Sequence, residues 1–131
     1  MKSINPPDWK RPSGYSNGVI AEGKLFFIAG QIGWDAQQNL VSEDFGEQAG
    51  QALRNIAAVL EAGGAKTEHV VRLTWYVTDK QLYNAATKAI GAAYREVFGN
   101  HYPAMTLVEV ADLLENGALV EIEATAVVPF E

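Results

Sequence analysis

Between Val70 and Thr78 the chain alternates with a strict period of two, an apolar set of Val71, Leu73, Trp75 and Val77 interleaved with a mixed set containing Arg72, Thr74 and Tyr76. Such a pattern specifies a strand with one buried face, and its neighbours make it a strong constraint on topology. On its N-terminal side Phe45, Ala49, Ala52, Leu53, Ile56, Ala57 and Leu60 recur at helical spacing, until Gly63-Gly64 stops the run. Asp44 and Glu47 can form a capping box at its start, with Ser42 as a competing N-cap. On the C-terminal side Asp79 can cap a second helix with the stripe Leu82, Ala86, Ile90, Ala93, Tyr94 and Val97, ended by Gly99. A strand between two helices is entered and left by crossovers, so part of the sheet is expected to be parallel. The fold class is α+β, with both helices on one face of a mixed sheet.

The remaining strands are shorter signals. Gly18 to Glu22 and Leu25 to Ala29, separated by Gly23-Lys24, read as a hairpin with a two-residue turn. A further short strand can form around Gln38 to Val41. Two strands follow the second helix, around Ala104 to Val110 and Leu119 to Val128, joined through a turn at Glu115-Asn116-Gly117. The sheet face away from the helices is expected to carry Tyr76, Met105 and Leu107. That is more apolar than a solvated face, and self-association is the simplest way to cover it.

With 131 residues, 48% of them hydrophobic, residues 1–131 form one domain, able to bury roughly two thirds of its unfolded surface. The absence of cysteine removes disulfides, thiolate metal sites and a cysteine nucleophile from consideration. His69 and His101 stand apart from each other and from carboxylates at ligand spacing, and read as surface or strand-end residues rather than metal ligands. No metal or cofactor is expected. The segment MKSINPPDWKRPSG lacks the apolar core of a signal peptide, and no run approaches the ~20 residues of a membrane span, which points to a cytoplasmic protein. A net charge of −6, with Lys and Arg scattered singly apart from Lys10-Arg11, argues against nucleic-acid binding, which needs clustered cations.

Within the last strand Glu121 and Glu123 share one face with Thr125, opposite Val120, Ile122, Ala124 and Ala126. The two carboxylates stand about 6.5 to 7 Å apart. Spacing alone is compatible with a solvated strand surface, or with acid-base chemistry if burial or a neighbour moves one pKa toward neutrality.

Three motifs decide between these readings. Pro103 to Val127, PAMTLVEVADLLENGALVEIEATAV, resembles the C-terminal signature of the Rid (YjgF-like) reactive-intermediate imine/enamine deaminases, P-A-R-S/T, then V-E-V-A, then V-E-I-E-A. Pro12 to Ser16 with Gly18-Val19 is similar to the family's P-Y-S-x-x-V element, and Ala29-Gly30-Gln31-Ile32-Gly33 to its S-G-Q-I-P element. The likeness extends from Pro12 to Val128. It implies a YjgF-like, chorismate-mutase-like fold, a homotrimer whose sheets form a central barrel, and a small-molecule pocket at each subunit interface. It also implies that Glu121 positions the water that attacks an imine carbon, that Tyr15 lines the pocket, and that the main chain near Gly30 approaches the substrate, as only glycine readily allows. For Gly30 an end-of-strand turn is the alternative, and for Glu123 the solvated reading stands.

The departures from the family pattern lie at positions that touch substrate. Met105 replaces the arginine that clamps the carboxylate of a 2-imino acid, Ala29 replaces serine, Leu107 stands where a cysteine or small residue is common, and Gly91 takes the place of an asparagine. Thr106 keeps the family's type. Each change makes the pocket less polar, and none introduces a cation nearby in sequence. Removing one member of a buried charge pair costs about 2 to 5 kcal/mol, roughly thirty-fold to several thousand-fold in affinity. Met105 either packs at the interface or fills space against an apolar ligand. Arg72, on the mixed face with Thr74 and Tyr76, is the candidate replacement for the clamp; otherwise it pairs with Glu121 or Glu123.

The resemblance, with Met105 at the arginine position, thus implies a cofactor-free hydrolase releasing ammonia from an imine or enamine that is larger than 2-iminobutanoate or 2-iminopropanoate, more apolar, or without an α-carboxylate. A non-catalytic small-molecule-binding trimer and a ribonuclease-like protein, as some relatives have been described, are the alternatives.

Overall fold

Asp44 begins the longest element of the chain. Its carboxylate accepts a hydrogen bond from the Glu47 N–H at 3.0 Å, capping helix α1, Phe45–Ala62. Ser42 does not compete; its hydroxyl accepts from the Asp44 N–H at 2.9 Å and shapes the turn before the cap. The expected stripe is buried apart from Ala57, which is half-buried, and Gln48 is buried with it. At the other end Gly64, with φ of 76°, lets the chain turn back so that the Ala65 N–H reaches the Leu60 carbonyl at 2.8 Å.

The computed structural model describes residues 1–131. Strands β1 (Lys2–Ile4) and β2 (Gly18–Ile20) form a small antiparallel ribbon, and β3 (Lys24–Ile32), β4 (Val70–Val77), β5 (Ala104–Glu109) and β6 (Val120–Val128) form a sheet in the order β3-β6-β4-β5. The β4–β5 pair is parallel and the other two pairs are antiparallel, so the α+β class with a mixed sheet holds. The expected hairpin around Gly23-Lys24 does not form. β2 pairs with the unforeseen N-terminal strand β1, while β3 pairs with β6. Gln38 to Val41 is not a strand either: Gln38 takes a positive φ of 65° within a loop closed by a single bridge from Trp34 to Leu40.

A short 3-10 turn, Thr67–His69, leads into β4. There Val70, Leu73, Trp75 and Val77 are buried, and Val71 is only half-buried. An irregularity between Val70 and Arg72 in the pairing with β6 shifts the alternation at that end. The expected second helix is two helices, α2 (Lys80–Ala85) and α3 (Thr87–Phe98), so that three helices, not two, cover the sheet. Asp79 caps α2 by accepting from the Gln81 N–H at 2.8 Å. The break falls at Ala86, whose N–H bonds the Tyr83 carbonyl at 3.0 Å in a tighter turn. Tyr83 thereby packs against the core while Leu82 stays 40% exposed.

Side-chain direction on β5 differs from expectation. Met105 lies beside Leu73 and Leu107 beside Trp75 in the parallel register, so both share the helix-side face with those buried residues. Thr106 and Val108 lie beside Thr74 and Tyr76 on the open face. That open face is nonetheless apolar in part, with Leu25 65% and Phe27 71% exposed.

Two polar side chains on α1 fix the sheet ends that carry the site. The Gln48 amide donates to the Ser42 and Gly117 carbonyls at 2.9 and 3.0 Å and accepts from the Leu119 N–H at 2.9 Å. Asn55 donates to the carbonyls of Ile32 and Trp34 at 3.1 and 2.9 Å. The exit of β3 and the entry of β6 are therefore both tied to one rigid helix. No helix is long and apolar enough to cross a membrane.

Candidate functional site

The helix-side face carries a cavity of about 510 Å³ between β5, α3 and the loop before β2. Ser16 places Tyr15 at its mouth: it is buried, its N–H bonds the Pro103 carbonyl at 3.0 Å, and its hydroxyl donates to the Tyr102 carbonyl at 2.6 Å. Met105 and Leu107 form the sheet wall together with Trp75; Ile90, Gly91, Tyr94 and Arg95 form the helical wall. The aromatic lining is rigid. Tyr94 stacks on Phe98 and Tyr102 at centroid distances of 5.0 and 5.3 Å, and Tyr83 meets Trp75 edge-on at 6.3 Å. Tyr94 also donates to the His101 carbonyl at 2.6 Å, and burial, followed by the neighbouring Tyr102, raises its pKa well above the ordinary phenol value. Trp75 is 4% exposed, and its Nε1 is buried without a hydrogen-bond partner.

The opposite face carries the carboxylates. Glu121 lies beside Tyr76 in the sheet register and is half-buried. Its side chain lies directly on the backbone of Gly30, where a Cβ would stand 2.8 Å from Cδ and 3.0 Å from Oε2. Glycine permits this close approach, and a larger residue would push the carboxylate aside. Glu123 is exposed, but its Oε1 accepts from the Tyr76 hydroxyl at 2.8 Å. That bond is the main reason the Tyr76 pKa is raised, ahead of desolvation and the charges of Glu123 and Glu121.

The residues singled out from sequence therefore fall into two groups. Tyr15, Gly91, Met105 and Leu107 meet in one cavity. Glu121 and Gly30 are in contact on the open face, and Ala29 and Arg72 line a second hollow there, of about 410 Å³, with Thr74 and Glu123. Thr106 sits on the open face beside Thr74. Arg72 is remote from Met105 by face. The cation that does line the Met105 cavity is Arg95, one helical turn after Gly91 and distant from Met105 in sequence, so the sequence reading did not name it. The i, i+4 spacing from Gly91 was the available signal. Each histidine is engaged with backbone: His69 Nδ1 accepts from the Lys66 N–H at 3.0 Å, and His101 Nε2 lies 2.6 Å from the Val70 carbonyl. No group of three or more His, Cys, Asp or Glu side chains is arranged to hold a metal ion.

Fold and site define a small α+β protein with an aromatic cavity under the helices and a carboxylate pair on the open sheet. The pattern of the endoribonuclease L-PSP family matches residues 9–128. The structure of YyfB from Yersinia pestis, described as a protein of unknown function of the conserved Rid protein family, is similar with a TM-score of 0.86 at 35% identity, covering 97% of this chain and 98% of that one. The 2-iminobutanoate/2-iminopropanoate deaminase of Salmonella typhimurium is 39% identical over 116 residues, 86% of each chain. Its Homo sapiens namesake is 34% identical over 114 residues, 86% of this chain and 79% of its own. The chain belongs to the endoribonuclease L-PSP family, that of the YjgF/Rid proteins.

Proposed function

We propose that this protein is a cofactor-free imine or enamine hydrolase, acting as a homotrimer on a substrate larger and more apolar than 2-iminobutanoate. The observation that carries the reading is the carboxylate of Glu121 laid against Gly30, at the two positions that match the family's water-positioning glutamate and its S-G-Q glycine. Glu121 holds a water at the imine carbon and accepts its proton as the C–O bond forms. Glu121 passes that proton to the nitrogen, giving a carbinolamine; its O–H proton then moves to the nitrogen as the C–N bond breaks, and ammonia and a carbonyl product leave with the carboxylate restored. The intrinsic barrier is low, so positioning and one base suffice.

Tyr15 and Met105 lie on one side of the sheet and Glu121 on the other, so a complete site needs a second copy that brings its Glu121 to the first copy's cavity. The exposed Leu25 and Phe27 favour the same assembly by offering apolar surface on the open face. With Met105 in place of arginine the sheet wall binds by apolar contact, and small imino acids lose their clamp.

The test is ammonia release from freshly generated imines by the wild type, Met105→Arg and Glu121→Ala, with light scattering on each. Glu121→Ala should lower release by about 10²-fold or more with the assembly unchanged, and Met105→Arg should gain activity on 2-iminobutanoate. Unchanged release in Glu121→Ala would leave a binding protein without chemistry. A mass of 14.2 kDa, that of one chain, would remove the shared site.

A further inference from the structure

Of the residues that line the Tyr15–Met105 cavity, Arg95 alone is charged, in a chain of net charge −6. No acidic residue lies three or four positions from it in sequence, where a helical partner would be. Arg95 is exposed, and its guanidinium folds back over Gly91. A Cβ at Gly91 would stand 3.2 Å from Arg95 Nη1, and nothing but that guanidinium lies within 4 Å of it. Glycine inside a helix is unfavourable by about 1 kcal/mol relative to alanine, and here no backbone packing requires it. The space at Gly91 serves the arginine.

Around this cation the walls are Tyr15, Trp75, Tyr83, Tyr94, Tyr102 and Met105. Aromatic faces and a flexible thioether suit a flat or bulky apolar body. A planar guanidinium recognises a carboxylate through paired hydrogen bonds. Trp75, whose indole N–H is buried and unpartnered within the chain, belongs to the same lining.

We infer that Arg95 is the anion anchor of this pocket, and that the ligand is a carboxylate carrying an aromatic or comparably bulky apolar group. The anchor absent from the sheet at Met105 is supplied from α3, so the carboxylate is held at the helical wall and the apolar body lies against Trp75 and Met105. This rests on the reading of the cavity as the substrate site, and it turns the loss of the sheet arginine from a loss of acid recognition into a change of acid.

Calorimetric titration with 3-phenylpropanoate and with its uncharged amide tests it directly. Wild-type protein should prefer the carboxylate by about ten-fold or more, Arg95→Gln should lose that preference without losing the amide, and Arg95→Lys should retain part of it. Equal binding of acid and amide by wild type, no binding of either, or a preference that survives Arg95→Gln would each overturn the inference. Ammonia release separates it from the deaminase reading. Arg95→Gln should raise KM for 2-imino-3-phenylpropanoate more than it lowers kcat. Arg95-dependent binding of 3-phenylpropanoate with no ammonia release from any imine would leave the anchor standing and remove the enzyme. Glu121-dependent release that is indifferent to Arg95 and uninhibited by 3-phenylpropanoate would do the reverse.

Discussion

The two faces of the four-stranded sheet are built from alternate residues of the same strands, yet they differ in kind. On β6, Val120, Ile122, Ala124 and Ala126 are almost wholly buried under the helices, while Glu121 and Thr125 between them are half-buried and Glu123 is exposed. The helix-side face closes a core and, between β5 and α3, leaves an aromatic cavity. The open face carries the carboxylates and no covering element. One chain thus carries the aromatic cavity on one side of its sheet and the carboxylate pair on the other, and the proposed shared site depends on that separation.

The largest expected effect lies in stability. Ile122→Ala should cost about 2 to 5 kcal/mol, and Glu123→Ala, one position on, should fall within about 0.5 kcal/mol of wild type. Urea unfolding of both variants checks the contrast. A loss at Glu123 rivalling that at Ile122 would mean that the open face is as deeply buried in the assembled protein as the helix-side face. Gln48→Ala belongs with the larger effect, because it empties a fully buried position and removes three hydrogen bonds of 2.9 to 3.0 Å.

A smaller effect separates site from scaffold. Gly30→Ala would meet the Cγ and carboxyl of Glu121, a side chain that can swing away. Melting temperature should stay close to wild type while ammonia release falls about ten-fold or more, since misplacing a catalytic group by about an ångström costs up to 10²-fold. A variant that melts early with its specific activity intact would make Gly30 a turn residue and no more.

Strand and helix identity was legible because periodicity reports which residues are buried, and burial was nearly all that was needed for α1, β4 and β6. Pairing was not. Gly23 sat between two β-rich runs as a hairpin turn would, but β2 found a partner in Lys2–Ile4, a segment too short and polar to signal itself. The face of β5 was misassigned for a related reason. Met105 and Leu107 alternate as clearly as any strand, but alternation gives two sets without saying which one meets the helices, and the parallel register with Leu73 and Trp75 decides it. Of the site, the motif-bearing positions Tyr15, Gly91, Met105 and Leu107 were brought together, whereas Arg95 escaped because it belongs to no motif. Its importance arises only where α3 passes over β5.

The smallest effect probes electrostatics, and two tyrosines on opposite faces allow it to be read separately. On the open face the Tyr76 phenol is raised above its ordinary value of about 10, first by the hydrogen bond it donates to Glu123, then by desolvation and by the charges of Glu123 and Glu121. Under the helices Tyr94 is raised by burial first, and then by Tyr102. A phenol whose folded pKa lies above its unfolded one adds stability that is complete below about pH 10 and is lost as pH rises through the folded value. Both residues therefore weaken the fold only on the alkaline side. Glu123→Gln should lower the Tyr76 titration toward the ordinary value, Glu121→Gln should lower it less, and neither should move Tyr94. Ultraviolet titration of tyrosinate, with Tyr76→Phe to assign the steps, resolves the two. If Glu123→Gln left the Tyr76 step where it was, the carboxylate would not be governing the charge on the open face, and water or a second subunit would have taken its place.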